Sequence, residues 1–367
     1  MKKLPGQTVL VLQGGGALGA YQAGVYEALH EAKIEPDWVI GISIGALNGA
    51  IITGNAPADR LPRLREFWKR VENDSPFDGQ YWPGFGHAFA NLSAVTRGIP
   101  AMYTPRPLAW AQVNADVGVD NASYYLTGPL RETLSSLINF ENMKSNSPRL
   151  TVGAVNIRKG EMHYFDSRDK TLGLDHVMAS GALPPAFPAI RIEGEAYWDA
   201  GVYSNTPLEA VFDDHPRRNA VIFGVNVWQP TGPEPESIWR VMGRQKDIQY
   251  ASRDDSHIKR QKQIHKLRRI ISELAKFTTE AEEKHAHLRG LGLHGCDTTM
   301  HVVRLLAPSL DSEDYFKDID FSAAGIQARW QAGLADTRRM IERAPWDEPA
   351  DPMEGVVVHE LSARTGG

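Results

Sequence analysis

The order of elements in this 367-residue chain predicts an α/β fold, a mostly parallel sheet with helices on both faces. Three observations carry that expectation. Short apolar strands alternate with helical stretches, the pattern of β-α-β crossovers. The runs Leu150-Thr151-Val152-Gly153-Ala154-Val155 and Ala220-Val221-Ile222-Phe223-Gly224-Val225 show no polar alternation, as strands buried on both faces do. The first fifty residues read as strand, glycine-rich turn, helix, strand, tight turn and helix.

Taken in order, Thr8 to Leu12 is the first strand, and Ala20 to Ala32 is a helix after the glycines. The second strand spans 37–42 and the next helix 44–54, with further helices at 59–72, 129–138, 174–181 and 206–213. Further strands are expected at 150–157, 160–165, 220–228 and 299–306. Residues 75–125 lack a regular pattern and are rich in Pro, Gly and aromatics, among them Trp82, Phe85, Phe89, Tyr103, Trp110, Tyr124 and Tyr125. They read equally as the wall of an acyl-chain cavity or as a loop-rich satellite cluster. Residues 258–289 carry Ile264, Leu267, Ile271, Leu274 and Ala281 at helical spacing, the expected seam of an amphipathic helix. The first half of that helix is basic, with Lys259, Arg260, Lys262, Lys266, Arg268 and Arg269 before any acid. It reads as a docked surface helix, with contact to anionic lipid or to another helix as the alternatives. A last helix is expected between Asp320 and Arg343, and the Pro-, Asp- and Gly-rich remainder as a tail.

Composition bounds the function classes. A net charge of −5 argues against nucleic-acid binding by the whole chain. The single Cys296 excludes an internal disulfide and suits a reducing compartment. Met1 to Gly6 carry two lysines with no apolar run after them, and no segment reaches the ~20 apolar residues of a membrane span. A soluble, cytoplasmic protein able to visit a lipid surface is the expectation, and a homo-oligomer is compatible with it.

Two motifs carry chemistry. Gly41-Ile42-Ser43-Ile44-Gly45 is a Gly-x-Ser-x-Gly pattern between the strand Trp38-Val39-Ile40 and the helix from Ala46. That setting lifts a serine hydroxyl out of a sharp turn, and small flanking residues relieve the crowding there. Gly14-Gly15-Gly16-Ala17-Leu18-Gly19 presents backbone N–H groups where a helix begins, a place to hold an anion. A nucleophile and an oxyanion site are two of the parts acyl transfer needs. The same glycines match a dinucleotide fingerprint, but the acid that should close the second strand is missing from its far end: Asp37 stands at the strand's beginning. An α/β-hydrolase triad would need a histidine after the acid, and His301, at the start of its strand, is the best candidate. His285, His287, His294 and Cys296 lack the spacing of a metal site, so neither a metal nor a cofactor is expected. Asp254, Asp255 and His257 read as a solvated charge group.

These motifs, together with Trp198-Asp199-Ala200-Gly201-Val202 and Ala179-Ser180-Gly181-Ala182-Leu183-Pro184-Pro185-Ala186-Phe187-Pro188, resemble the patatin-like phospholipase family over about the first 230 residues. The resemblance implies a three-layer α/β/α sandwich and hydrolysis of lipid acyl esters by a Ser–Asp dyad without histidine. It implies Ser43 as nucleophile, Asp199 as its base, and Gly14, Gly15 and Gly16 as oxyanion hole. Leu18 stands where many members carry Arg or Lys, and Ala200 where the aspartate tripeptide often has glycine. The C-terminal third resembles the extension of a bacterial patatin-like subgroup. The expected division is a catalytic domain over 1–230, a helical insertion or extension over 231–297, a returning strand and terminal helix over 298–345, and a flexible tail over 346–367. The expected substrate is a lipid or another acyl ester.

Overall fold

The structure, a computed structural model, describes residues 4–73, 94–144, 148–251, 254–276, 290–310 and 315–361. In chain order the elements are β1 (Gln7–Leu12), α1 (Ala20–Glu31), β2 (Trp38–Gly41), α2 (Ile44–Thr53), α3 (Pro57–Arg70), β3 (Thr104–Pro105), β4 (Tyr125–Leu126) and α4 (Gly128–Leu137). Then come β5 (Arg149–Asn156), β6 (Glu161–Asp166), α5 (Leu174–Ser180), β7 (Ile190–Ile192), β8 (Glu195–Asp199), α6 (Leu208–Phe212) and β9 (Ala220–Asn226). The chain continues with α7 (Ile238–Ala251), α8 (Asp254–Ala275), β10 (Met300–Leu306), α9 (Ala323–Arg343) and β11 (Val356–Glu360).

The main sheet runs β11-β10-β9-β1-β2-β5-β8-β7, with β6 on the other edge of β5. From β11 to β5 every pairing is parallel; those of β6, β7 and β8 are antiparallel. Alternate residues of β1 serve opposite faces. Leu10 and Leu12 join the core under α1, α2, α3 and α9, whereas Val9 and Val11 join Phe212 of α6 and Ile258 of α8. All four are fully buried, which is why the strand sequences show no alternation. Helices on both faces make the three-layer α/β/α sandwich.

One edge of β5 is shared, and this detail builds the site. β2 pairs with residues 149–152 and ends at Gly41 opposite Val152. β8 takes over that edge in the opposite direction and sets Asp199 opposite Ala154. The end of β2 and the end of β8 therefore meet, and the turns that leave them meet too. The β7–β8 hairpin was not expected from sequence. Its turn is Glu193-Gly194, both residues at positive φ, which matches the strand twist without the usual Asn-Gly or Asp-Gly signal.

Three expectations for the C-terminal third need correction. The tail is not all irregular: Val356–Glu360 forms β11, whose backbone pairs in parallel with β10. The expected helical seam is docked only in part, with Ile264 and Ile271 half-buried. Ile258, Gln261 and His265 face the sheet, while Leu267 and Leu274 are exposed. His265 packs beside the Phe212 ring and over Gly355, where an added Cβ would stand 3.0 Å from its own, so the neighbours' shape chooses the face. Ala281, in the second half of the expected helix, lies outside the described residues. Exposed Asp255 pairs with Arg304 at 2.8 Å and His257 lies 3.5 Å from Glu209, so this expected solvated group also ties elements together.

The last helix is part of the core. An added Cβ at Gly24 would lie 1.9 Å from the Trp330 carbonyl oxygen, and one at Gly333 would lie 2.1 Å from that of Tyr21. Backbones this close require glycine on both α1 and α9. Tyr21 then donates a hydrogen bond to Asp336 at 3.0 Å, and the Trp330 indole N–H bonds Glu27. Among the described residues, no helix is long and apolar enough to cross a membrane.

Candidate active site

Ser43 stands between β2 and α2 with φ 54 and ψ −124, a conformation that a non-glycine residue rarely adopts. Strain of this kind costs about 1–3 kcal/mol and persists only where the surroundings impose it. Here they do. An added Cβ at Gly41 would meet the Gly45 carbonyl oxygen at 2.3 Å, and one at Gly45 that of Leu12 at 2.3 Å. The backbone N–H of Ser43 donates to the Ser180 carbonyl and hydroxyl oxygens, at 3.1 and 3.0 Å.

Asp199 ends β8, and its N–H donates to the carbonyl oxygen of Ala182 at 3.0 Å. The segment Ser180–Ala182 thus ties down both the serine and the aspartate. The Asp199 carboxylate accepts a hydrogen bond from Gly201 N–H at 2.7 Å and lines the same cavity as the Ser43 hydroxyl, whose proximity favours its ionised form. It is 1% exposed. Burial pushes its pKa up to about 7, against the opposing pull of the Ser43 hydroxyl and the Gly201 N–H. Ala200 opens the short helical turn 200–202 and is not among the residues at positive φ, so alanine fits there without strain. Glycine matters one place later. An added Cβ at Gly201 would stand 3.1 Å from Asp199 Oδ1 and 3.1 Å from Asn205 Oδ1.

The glycine turn faces Ser43, since an added Cβ at Gly14 would approach the Ser43 Cβ to 3.1 Å. Its hydrogen bonds sort the three expected donors. Gly14 N–H is engaged by the Asn205 carbonyl at 3.3 Å, which removes it from the expected oxyanion set. Gly15 and Gly16 N–H have no hydrogen-bond acceptor among the described residues. Gly16 has φ 56, a left-handed conformation that glycine adopts without cost. The α2 N-terminus adds the positive end of a helix dipole beside Ser43. Leu18, in the place of a family cation, is buried in the core.

Ser43, Asp199 and the three glycines line a cavity of about 190 Å³. Most of its remaining wall is apolar, including Leu47, Met102, Leu130, Leu183, Phe187 and Phe321. Tyr103 and Tyr125 belong to this wall, with ring centroids 4.9 Å apart, so part of the irregular aromatic segment does line a cavity. Trp82, Phe85 and Phe89 lie outside the described residues. Trp110 is exposed and stacks on Tyr124 at 4.2 Å. Sequence reasoning missed Asn205, Trp228, Tyr250 and Asp318, which also line the cavity. No local motif marks them.

His301 is remote from this chemistry. It pairs in register with Val221, and Val221 with Thr8, whereas the site lies beyond Leu12. Four residues of strand separate the two levels, about 13 Å. His301 Nδ1 instead lies 3.0 Å from His359 Nε2 on β11. His301→Ala is therefore expected to leave ester hydrolysis within about twofold of the wild type, which a short-chain ester assay checks; a large loss in a well-folded variant would contradict it. His285 and His287 lie outside the described residues. Among the described residues no group of three His, Cys, Asp or Glu side chains is placed to hold a metal.

The fold and the serine elbow facing a glycine turn define the class. The patatin-like phospholipase family model matches residues 10–212, and the chain belongs to that family. A second model, described as patatin phospholipase, matches residues 248–353. Similar curated proteins include lysophospholipase nte1 of Aspergillus terreus, 52% identical over 74 residues, which is 19% of this chain and 5% of that protein. Neuropathy target esterase sws of Drosophila sechellia is 53% identical over 61 residues, 17% of this chain and 4% of that protein. The chain thus matches about one-twentieth of the length of these relatives. Among solved structures, VipD from Legionella pneumophila aligns with TM-score 0.35 and 16% identity, over 90% of this chain and 67% of that one.

Proposed function

We propose that this protein hydrolyses carboxylic esters of lipids through a Ser43–Asp199 dyad. The observation that carries the reading is the Ser43 hydroxyl and a buried carboxylate sharing one largely apolar cavity with the glycine turn. Ser43 Oγ attacks the ester carbonyl carbon while its proton passes to Asp199. A carboxylate at an ordinary pKa is a weak base for this task, and burial strengthens it. Gly15 and Gly16 N–H hold the oxyanion of the tetrahedral intermediate; one such donor contributes about 3 kcal/mol. The bond to the leaving alcohol then breaks, and that oxygen takes the proton from Asp199. Water, deprotonated by Asp199, attacks the acyl-enzyme, the fatty acid leaves, and Ser43 recovers its proton.

Membership of the family and the names of the relatives support a lipid substrate. Short-chain or polyester-type esters are the alternative substrates, and a binding protein without turnover is the alternative class. A fluorophosphonate probe separates enzyme from binder: labelling confined to Ser43 is expected, and an unlabelled Ser43 would sink the reading. Hydrolysis profiled across phospholipids, lysophospholipids and short-chain esters then identifies the substrate.

The proposed location is the cytoplasm, with contact at lipid surfaces through the basic face of α8. Lys259, Arg260 and Lys266 are exposed, whereas Arg269 bonds the Asp297 carbonyl and Thr299. Reversing Lys259, Arg260 and Lys266 to Glu is expected to weaken co-sedimentation with anionic vesicles strongly, at about 1 kcal/mol per charge near the surface. Hydrolysis of a soluble ester should be unchanged. Equal vesicle binding by variant and wild type would return α8 to a purely structural role.

A further inference from the structure

The oxyanion turn is held from behind by residues far along the chain. Peptide units are planar and trans, so a C=O and the N–H of the same unit point in opposite directions. The Gly14 carbonyl accepts from Asn205 Nδ2 at 2.9 Å and from Trp228 Nε1 at 2.7 Å. Those bonds fix the Gly15 N–H on the opposite side of that peptide unit, where no described residue accepts from it. The Gly15 carbonyl accepts from Leu18 N–H at 3.1 Å, which fixes Gly16 N–H likewise. Ala17 N–H donates to the Asp318 carbonyl oxygen at 2.8 Å, and an added Cβ at Gly16 would stand 2.2 Å from that same oxygen. Asp318 is therefore the backstop of the turn.

Two adjacent residues of α7 grip that backstop by a crossed pair of charges. Lys246 Nζ bonds both Asp318 carboxylate oxygens, at 2.8 and 3.0 Å, and lies 4.0 Å from the centre of the Tyr315 ring. Asp247 accepts from Lys317 Nζ at 2.7 Å and from Gln229 N–H at 3.2 Å. Lys317 also lies 5.4 Å from the centre of the Trp228 ring, the ring whose N–H holds Gly14. Two routes from this quartet reach the glycine turn, one through the Asp318 carbonyl and one through the Trp228 ring. Charge pairs shielded this far contribute little net stability, since desolvation offsets attraction, but they impose a geometry.

We infer that Lys246 and Asp247 of α7, crossed with Asp318 and Lys317, are positioning residues that set the direction of the Gly15 and Gly16 N–H groups. The C-terminal third is on this view a working part of the oxyanion hole. The inference rests on the acyl-hydrolase reading.

The test is charge reversal with rescue, using the full chain and a soluble p-nitrophenyl ester. Lys246→Asp and Asp318→Lys are each expected to lower kcat about tenfold or more, with KM within about twofold, because donors misaimed at the oxyanion act on the transition state. The double swap, Lys246→Asp with Asp318→Lys, should restore kcat to within about threefold of wild type. A role in folding alone would lower melting temperature and active fraction without this split and rescue. Single reversals with wild-type kcat, or a swap no better than the worse single variant, would overturn the inference. If the reversals do not fold, Lys246→Met and Asp318→Asn replace them: a kcat loss with KM held supports the inference, and wild-type kcat overturns it. A wild type that neither hydrolyses esters nor takes a fluorophosphonate at Ser43 sinks the acyl-hydrolase reading and this inference together. An active wild type with unaltered variants sinks the positioning role alone.

Discussion

Ser43→Ala is expected to lower ester hydrolysis about 10⁴-fold or more while leaving the fold intact. Loss of an attacking oxygen removes the covalent route, and what remains is the binding and oxyanion stabilisation of the site. Alanine retains the Cβ that already fits this strained turn, and the elbow is held by backbone bonds to Ser180 that do not involve the Ser43 side chain. The melting temperature should therefore stay close to that of the wild type. The decisive measurement is kcat/KM on a short-chain ester alongside thermal unfolding. A folded Ala variant with most of its activity would end the nucleophile assignment.

Asp199→Asn is expected to cost about 10³-fold in activity, since an amide keeps the shape but cannot accept a proton. The pH behaviour is more specific. With the pKa of Asp199 raised to about 7, wild-type kcat/KM should climb as pH rises toward 7 and level off above it, because the base must be ionised. Stability moves the other way. The folded-state pKa lies above the ordinary 3.8, so between these values the folded chain binds more protons than the unfolded one. The stabilisation is complete below the unfolded pKa and is lost as pH rises through about 7. The full shift corresponds to on the order of 4 kcal/mol. The Asn variant lacks this loss, so its stability relative to wild type should increase from pH 5 to pH 8. Denaturant unfolding at several pH values measures the difference. A constant difference would mean that Asp199 ionises at an ordinary pKa and needs no help from burial.

Much of the site was legible because its two leading motifs lie on consecutive βα units. Gly14 to Gly19 and Gly41 to Gly45 each follow a strand, and neighbouring parallel strands deliver their turns to the same edge of the sheet. Asp199 was legible through its motif, and its place in space was not. Its hairpin turns on Glu193-Gly194, a weak signal, and its position follows from β8 occupying the β5 edge that β2 vacates.

That the Gly14 N–H is engaged, unlike those of Gly15 and Gly16, was hidden for a related reason. Composition marks three glycines alike, but whether an N–H is free depends on what approaches it, and Asn205 comes from a distant part of the chain. The orientation of α8 escaped sequence in the same way. Leu267 and Leu274 repeat at helical spacing, yet the docked face follows Phe212 and Gly355, whose contribution no periodicity within α8 can encode.

By itself the sequence determined the elements, the parallel core, the serine elbow and the glycine turn, because these depend on local backbone preference and on apolar patterning. The tertiary structure alone decided which N–H groups stay free and how strongly Asp199 holds its proton. It also decided that Asp318 and Trp228 of the distal chain frame the glycine turn. These are properties of packing: free donors and shifted pKa values are set by whichever atoms arrive from elsewhere, and those atoms are not neighbours in sequence.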